Sequence, residues 1–250
     1  MPQNATPATA SSTKASDHFQ NDFAEATLKA VREDGLYRHV EFAAPQSMSH
    51  LILVTWPFNL LVAGSHGSFH FERFGPDTKD MFAWLRGIRV EPDRWASKLV
   101  NGRSSVEEYD RDRMIAKINE RVAEATEDGG APEGLEGAVC EEILGSHLLD
   151  MKDTAFQLLG GFEHGVKYAA KCTCGETVER DAYGAALMWR SLDHNLGDGH
   201  AVEIRQTAGF DFDDLSEWDV DKLSYPFVYQ CHAASWAIGQ YDTASKQVAA

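Results

Sequence analysis

Apolar positions along the chain change period several times, and each change marks a predicted element. Over 17–33, Phe19, Phe23, Ala26, Leu28, Ala30 and Val31 recur at about helical spacing behind Ser16 or Asp17 as N-cap, which predicts an opening helix. Four short runs follow, 36–42, 50–55, 59–63 and 68–74, rich in β-branched or aromatic residues and separated by Pro or Gly. They predict an antiparallel meander of three or four strands. In the last run Phe69 and Phe71 alternate with Ser68, His70 and Glu72, so one face is buried and the other is wetter. After Gly75-Pro76 the period turns helical again, with Met81, Phe82, Leu85 and Ile88 on one stripe and Pro92 introducing a short turn that holds Trp95. A longer amphipathic helix over 106–125 points Met114, Ile115, Ile118 and Val122 inward.

Glycines, a proline and acidic residues make 127–137 the expected linker. Helical spacing returns with Val139, Ile143, Leu148, Met151, Ala155, Leu158 and Phe162, ending at Gly160-Gly161. The closing helix, about 226–241, is apolar over most of its circumference, with Phe227, Cys231, Ala234, Ile238 and Tyr241 on one side and Val228 and Trp236 widening the stripe. The expected organisation is a disordered tail over 1–16, an α+β domain over 17–126, the linker, a helix over 138–165, a small ββα zinc-finger-like module over 166–206, and an acidic loop and C-terminal helix over 207–250 that packs back on the first domain. The fold class is α+β, an antiparallel meander covered by helices.

Composition narrows the function classes. Asp and Glu outnumber Lys and Arg by 39 to 23, a formal charge of −16. That argues against following a phosphate backbone, so no direct nucleic-acid partner is expected. The N-terminus lacks the charged start and apolar run of a secretory signal, and the longest apolar stretch, 51–63, is broken by Pro57 and is shorter than the roughly 20 residues of a membrane-spanning helix. Four cysteines, two of them one residue apart, fit reduced thiols in a cytoplasm better than a disulfide scaffold. No Walker loop, dinucleotide fingerprint, nucleophile elbow or H-E-x-x-H is present, so no reaction is read from a motif.

One constellation carries metal chemistry. A strand over 166–171, the turn Cys172-Thr173-Cys174-Gly175, a return strand over 177–180, a helix over 183–196 and a Gly197-Asp198-Gly199 break before His200 bring two thiols towards two imidazoles. This order resembles a C2H2-like finger with the cysteine spacing shortened to C-x-C. The resemblance implies that Cys172, Cys174, His194 and His200 ligate one structural Zn²⁺, with His164 as substitute ligand. The competing reading is ordinary half-buried thiols and surface histidines. Four such ligands leave no position for a substrate water, so a structural role is expected. The helix offers only Arg190 towards bases or phosphates, with Asp181 and Asp193 at its ends, so DNA reading is not expected.

Three lesser features remain. His66, Ser68, His70 and Glu72 alternate along one strand and offer a metal or proton-transfer site, against the plainer reading of a solvated strand face. Trp56-Pro57 is expected to shape a hairpin. Asp211, Asp213, Asp214, Glu217, Asp219 and Asp221 form an acidic loop without EF-hand spacing; it is a solvated loop or, with the acidic 106–136 surface, an imitation of nucleic-acid charge.

The segments Asp34-Gly35-Leu36-Tyr37-Arg38-His39-Val40, Val54-Thr55-Trp56-Pro57, the 64–74 strand with Asp80-Met81-Phe82, Ser216-Glu217-Trp218-Asp219 and Trp236 to Asp242 resemble a group of uncharacterised bacteriophage and prophage proteins. The resemblance implies one integrated fold and a place in the host cytoplasm, and it carries no activity. It favours a non-enzymatic accessory protein that binds a host or phage protein and contains a structural zinc. The alternatives are an acidic nucleic-acid mimic that blocks a host nuclease or defence complex, and a metal-dependent enzyme using His66, His70 and Glu72.

Overall fold

The computed structural model describes residues 7–44, 49–75, 79–192 and 200–248. Contacts divide the chain into two units, 1–108 with 222–250, and 109–221. In chain order the elements begin α1 (Pro7–Asp22), β1 (Thr27–Asp34), β2 (Tyr37–Ala44), β3 (Ser49–Trp56), β4 (Asn59–Gly64), β5 (Gly67–Glu72), α2 (Met81–Leu85) and α3 (Pro92–Ala96). They continue β6 (Glu107–Tyr109), α4 (Arg111–Glu127), α5 (Leu135–Ala138), α6 (Lys152–Gly160), β7 (Glu163–Cys172), β8 (Thr177–Arg180), α7 (Tyr183–Leu192), β9 (Val202–Asp211), β10 (Asp221–Leu223) and α8 (Tyr225–Val248).

In the first unit β1 to β5 form an antiparallel meander in sequential order, as the α+β reading expects. Strand alternation sends Val40, Phe42, Leu51, Leu53, Leu60, Val62 and Phe71 to one face. There they meet α8, whose Ala233, Ala234 and Ala237 are buried and let the helix backbone come close to the sheet. Each fully buried Leu- or Phe-sized side chain contributes roughly 2 kcal/mol, so this apolar layer holds the unit together.

The meander has one more strand than the spacing predicts. The opening helix ends at Asp22, and 27–34 is a strand in register with β2, pairing Val31 with Val40 and Glu33 with Arg38. The helix also starts earlier, at Pro7, where a disordered tail was expected through residue 16. Ala15, Phe19 and Phe23 are buried at intervals of four, and Phe19 lies 5.6 Å from Tyr229 and 5.7 Å from Trp236 of α8. Pro57-Phe58 does turn the β3–β4 hairpin. Phe58 holds a φ of 68°, costly for a bulky residue; its N–H donates to Lys79 O at 3.0 Å and its carbonyl accepts from Arg73 N–H at 2.9 Å.

Three of the quoted segments meet at Arg38, which is only 8% exposed. Its Nη1 donates to Asp80 Oδ1 at 2.8 Å and its Nε to Glu33 Oε1 at 3.1 Å, while its guanidinium lies 5.1 Å over the Phe82 ring. Tyr241 Oη donates to Glu33 Oε2 at 2.5 Å, and Arg86 joins Asp80 to Asp242.

In the second unit α4 starts at Arg111, where the Asp110 carboxylate accepts the first free N–H groups, and buries Met114, Ile118 and Val122. The expected linker over 127–137 is part of this unit, because Leu135 inserts into the core with Val139 and Ile143. The single helix expected over 138–165 is broken. A π turn over 139–144 ends at Gly145, Ser146 Oγ accepts from Leu148 N–H at 3.2 Å to start a 3₁₀ turn, and α6 begins at Lys152. Beyond it the module expected as ββα gains a third strand: the sheet order is β8-β7-β9, with α7 against it.

Candidate metal centre

Cys172 is the last residue of β7, 1% exposed, and opens the tight turn that leads to β8. The turn is fixed by backbone hydrogen bonds: Gly175 N–H donates to Cys172 O at 2.9 Å, Cys172 N–H to Glu176 O at 2.9 Å, and Gly175 takes a φ of +101°. Thr173 ties the turn to the start of β9. Its N–H donates to Ala201 O at 2.9 Å, and its hydroxyl accepts from Ala201 N–H at 3.1 Å. These bonds carry His200 to the thiols, with Nδ1 3.3 Å from Cys172 Sγ.

The ligand atoms of Cys172, Cys174 and His200 all lie within 4.8 Å of one another, a group that could hold a metal ion. A tetrahedral site with Zn–S of about 2.3 Å and Zn–N of about 2.0 Å has ligand–ligand edges of about 3.5 to 3.8 Å. The Cys172–His200 edge, at 3.3 Å, is already that short, and no edge exceeds 4.8 Å. The donor chemistry also fits. Burial disfavours the Cys172 thiolate, but hydrogen bonds from the Cys174 backbone and thiol, His200 and Thr173 outweigh it and bring the pKa down to about 6. At Cys174 the Glu176 N–H favours the thiolate, yet the neighbouring Cys172 sulfur and burial prevail and raise it. One thiol ionises readily, and the second needs a cation, which a metal supplies.

His194 lies outside the described residues. His164 is not at the centre: it sits eight residues up β7, about 26 Å away at ~3.3 Å per residue, where its Nε2 is 3.0 Å from Glu133 O. The strand histidines do not converge either. His66 falls in the β4–β5 turn and stacks 3.9 Å from Tyr229 of α8, whereas His70 lies on the opposite face, 5.2 Å from Trp56 and 2.8 Å from Asn59 Oδ1. Burial holds the His66 imidazole below its ordinary pKa. The acidic loop is partly neutralised inside its own unit, Asp213 by Arg121 and Asp221 by Lys152 at 2.5 Å.

Spacing did not reveal the Arg38 network, whose members are far apart in the chain; the one signal for it was an arginine at a core-facing strand position. Among the described residues no helix is long and apolar enough to cross a membrane. Comparison with protein-family models, curated proteins and solved structures finds no match to this chain.

Proposed function

We propose that the chain is an interaction protein whose second unit is stapled by a structural Zn²⁺ on Cys172, Cys174, His200 and His194. The observation that carries this reading is the Cys172/Cys174/His200 group at the end of the three-stranded sheet. Its ligands come from a tight turn and from the start of β9, so a bound ion ties the first strand of the module to the last. Thiolate and imidazole donors favour zinc over the hard cations. A closed four-ligand set acts on folding rather than on a substrate.

An interaction role is supported by α7, which keeps Ala186 and Trp189 in the module core while leaving Tyr183 and Met188 exposed. Flexible Met and amphipathic Tyr side chains suit protein contacts. The phage-like segments favour an accessory protein that binds a host or phage protein.

The test is elemental analysis of the purified protein with thermal melting before and after chelation. One zinc per chain and a melt lowered by chelator are expected. A metal-free protein whose melt ignores both chelator and added zinc contradicts the proposal.

A further inference from the structure

The face of the meander turned away from α8 carries chemistry unrelated to the metal centre. An open cleft of about 510 Å³ lies over the turn end of β1, β2 and β3, with Arg32, Asp34, Tyr37, His39, Val54 and Trp56 in its lining. Register sets these side chains in two rows. Arg32 pairs with His39 and His39 with Val54, while Asp34 pairs with Tyr37. The Arg38–Thr55 pairing then places Tyr37 beside Trp56. Adjacent rows on one face are about 7 Å apart, two residues along a strand. An aromatic ledge of Tyr37 and Trp56 therefore runs beside Arg32 and His39, with Asp34 at its end.

The ledge is accessible and its base is fixed. Tyr37 is 61% exposed, and His39, Val54 and Trp56 are half-buried. Neither Arg32 nor Asp34 forms an ion pair among the described residues. Beneath them Arg38 is held by Glu33 and Asp80, and Thr55 Oγ1 donates to Leu36 O at 2.8 Å. The site is open, so a ligand lies on the ledge with one face to solvent, and the polar groups around the apolar surface set its orientation.

We infer that this cleft binds a small planar aromatic anion bearing an N–H donor. The ring lies on Tyr37 and Trp56, the anionic group meets Arg32 and His39, and the donor reaches the Asp34 carboxylate. A single anionic group is drawn by the two local donors, whereas a phosphate polymer meets the chain's net charge of −16. Two sources share this chemistry, purine nucleotides and indole-type carboxylates.

The experiment titrates the full chain with adenosine monophosphate and, separately, with indole acetate, by calorimetry at low salt. Submillimolar binding of either probe is expected, and the probe that binds assigns the anion as phosphate or carboxylate. Trp56→Ala should weaken that binding about fivefold or more, the scale of a lost stacking contact, and Arg32→Gln should weaken it and remove its salt dependence. Because Trp56 also touches His70, Tyr37→Ala at an exposed position is the second ledge variant, each being checked for an unchanged melt. Failure of both probes to bind at millimolar concentration, or binding indifferent to the ledge variants and to Arg32→Gln, overturns the inference. So does a short thymidine oligonucleotide that binds more tightly than either probe.

Discussion

With zinc on the thiol–imidazole group, as proposed, removing it should open the three-stranded module and leave the meander closed. Among the described residues the module core consists of Val166, Tyr168, Ala170, Cys172, Ala186 and Trp189, two of them alanines. So small a core offsets little of the cost of ordering three strands and a helix. A metal that binds the folded form alone adds stability in proportion to its excess over the dissociation constant: about 2.7 kcal/mol at a hundredfold excess and about 4.1 kcal/mol at a thousandfold. In hydrogen exchange this excess reads out directly. Backbone amides along β7 and β9, paired from Tyr168 with Gln206 to Cys172 with Val202, should lose about a hundred- to a thousandfold of protection in chelator. Amides of the β2–β3 pairing are the internal control and should not change. Cys174→Ser should reproduce the chelator effect, and further chelator should then add nothing. Protection of β7 and β9 that is the same with and without chelator, in a protein that does contain zinc, would refute the reasoning, because the ion would then be bound without closing the sheet.

Three further outcomes follow from other parts of the structure. Stability should fall in acid: the Tyr241 hydroxyl lowers Glu33, and Arg38 lowers Asp80 against the opposing effect of burial. Carboxyls depressed in the folded state stabilise it above their ordinary values of 4.5 and 3.8 and lose that contribution as the pH drops below them; urea midpoints across this range should show a shallower slope in Arg38→Gln. Gly209→Ala should destabilise the protein by about 2 kcal/mol or more in urea denaturation, since a Cβ there would meet Val166 Cα at 2.3 Å and the φ is +96°. Alkylation followed by peptide mass spectrometry should label exposed Cys140 at once and Cys231 only after denaturation, because burial pushes that thiol's pKa well up. Cys174 should become reactive on chelation, and equal labelling with and without chelator would count against it as a ligand.

The legible parts of this fold are those where one face of an element is buried and the other is wet. Alternation found β2 to β5, and the helical stripe of Met114, Ile118 and Val122 found α4. Where that contrast fails, the reading fails with it. In 27–34 Leu28 and Ala30 are partly buried, Val31 is exposed and Lys29 sits at a bulge, so the period is broken and the run reads as a continuation of the helix. The residues 202–211 are mostly exposed, because β9 is held by backbone pairing to β7 more than by its side chains. At the candidate metal centre the thiol pair and His200 were legible from chemistry and spacing. His164 was misplaced because a strand residue cannot reach an atom eight positions along the same strand.

The two units reach order by different routes, and this makes sense of where the candidate metal ligands lie. The first unit can afford a buried arginine and a strained Phe58, because α8 and the meander bury a large aromatic and aliphatic layer between them. Among the described residues the module around β7 has a smaller layer, and its chain is turned at Gly175 and tied by bonds between Thr173 and Ala201 at one end of the sheet. A cation placed there would join the β7–β8 turn to the start of β9.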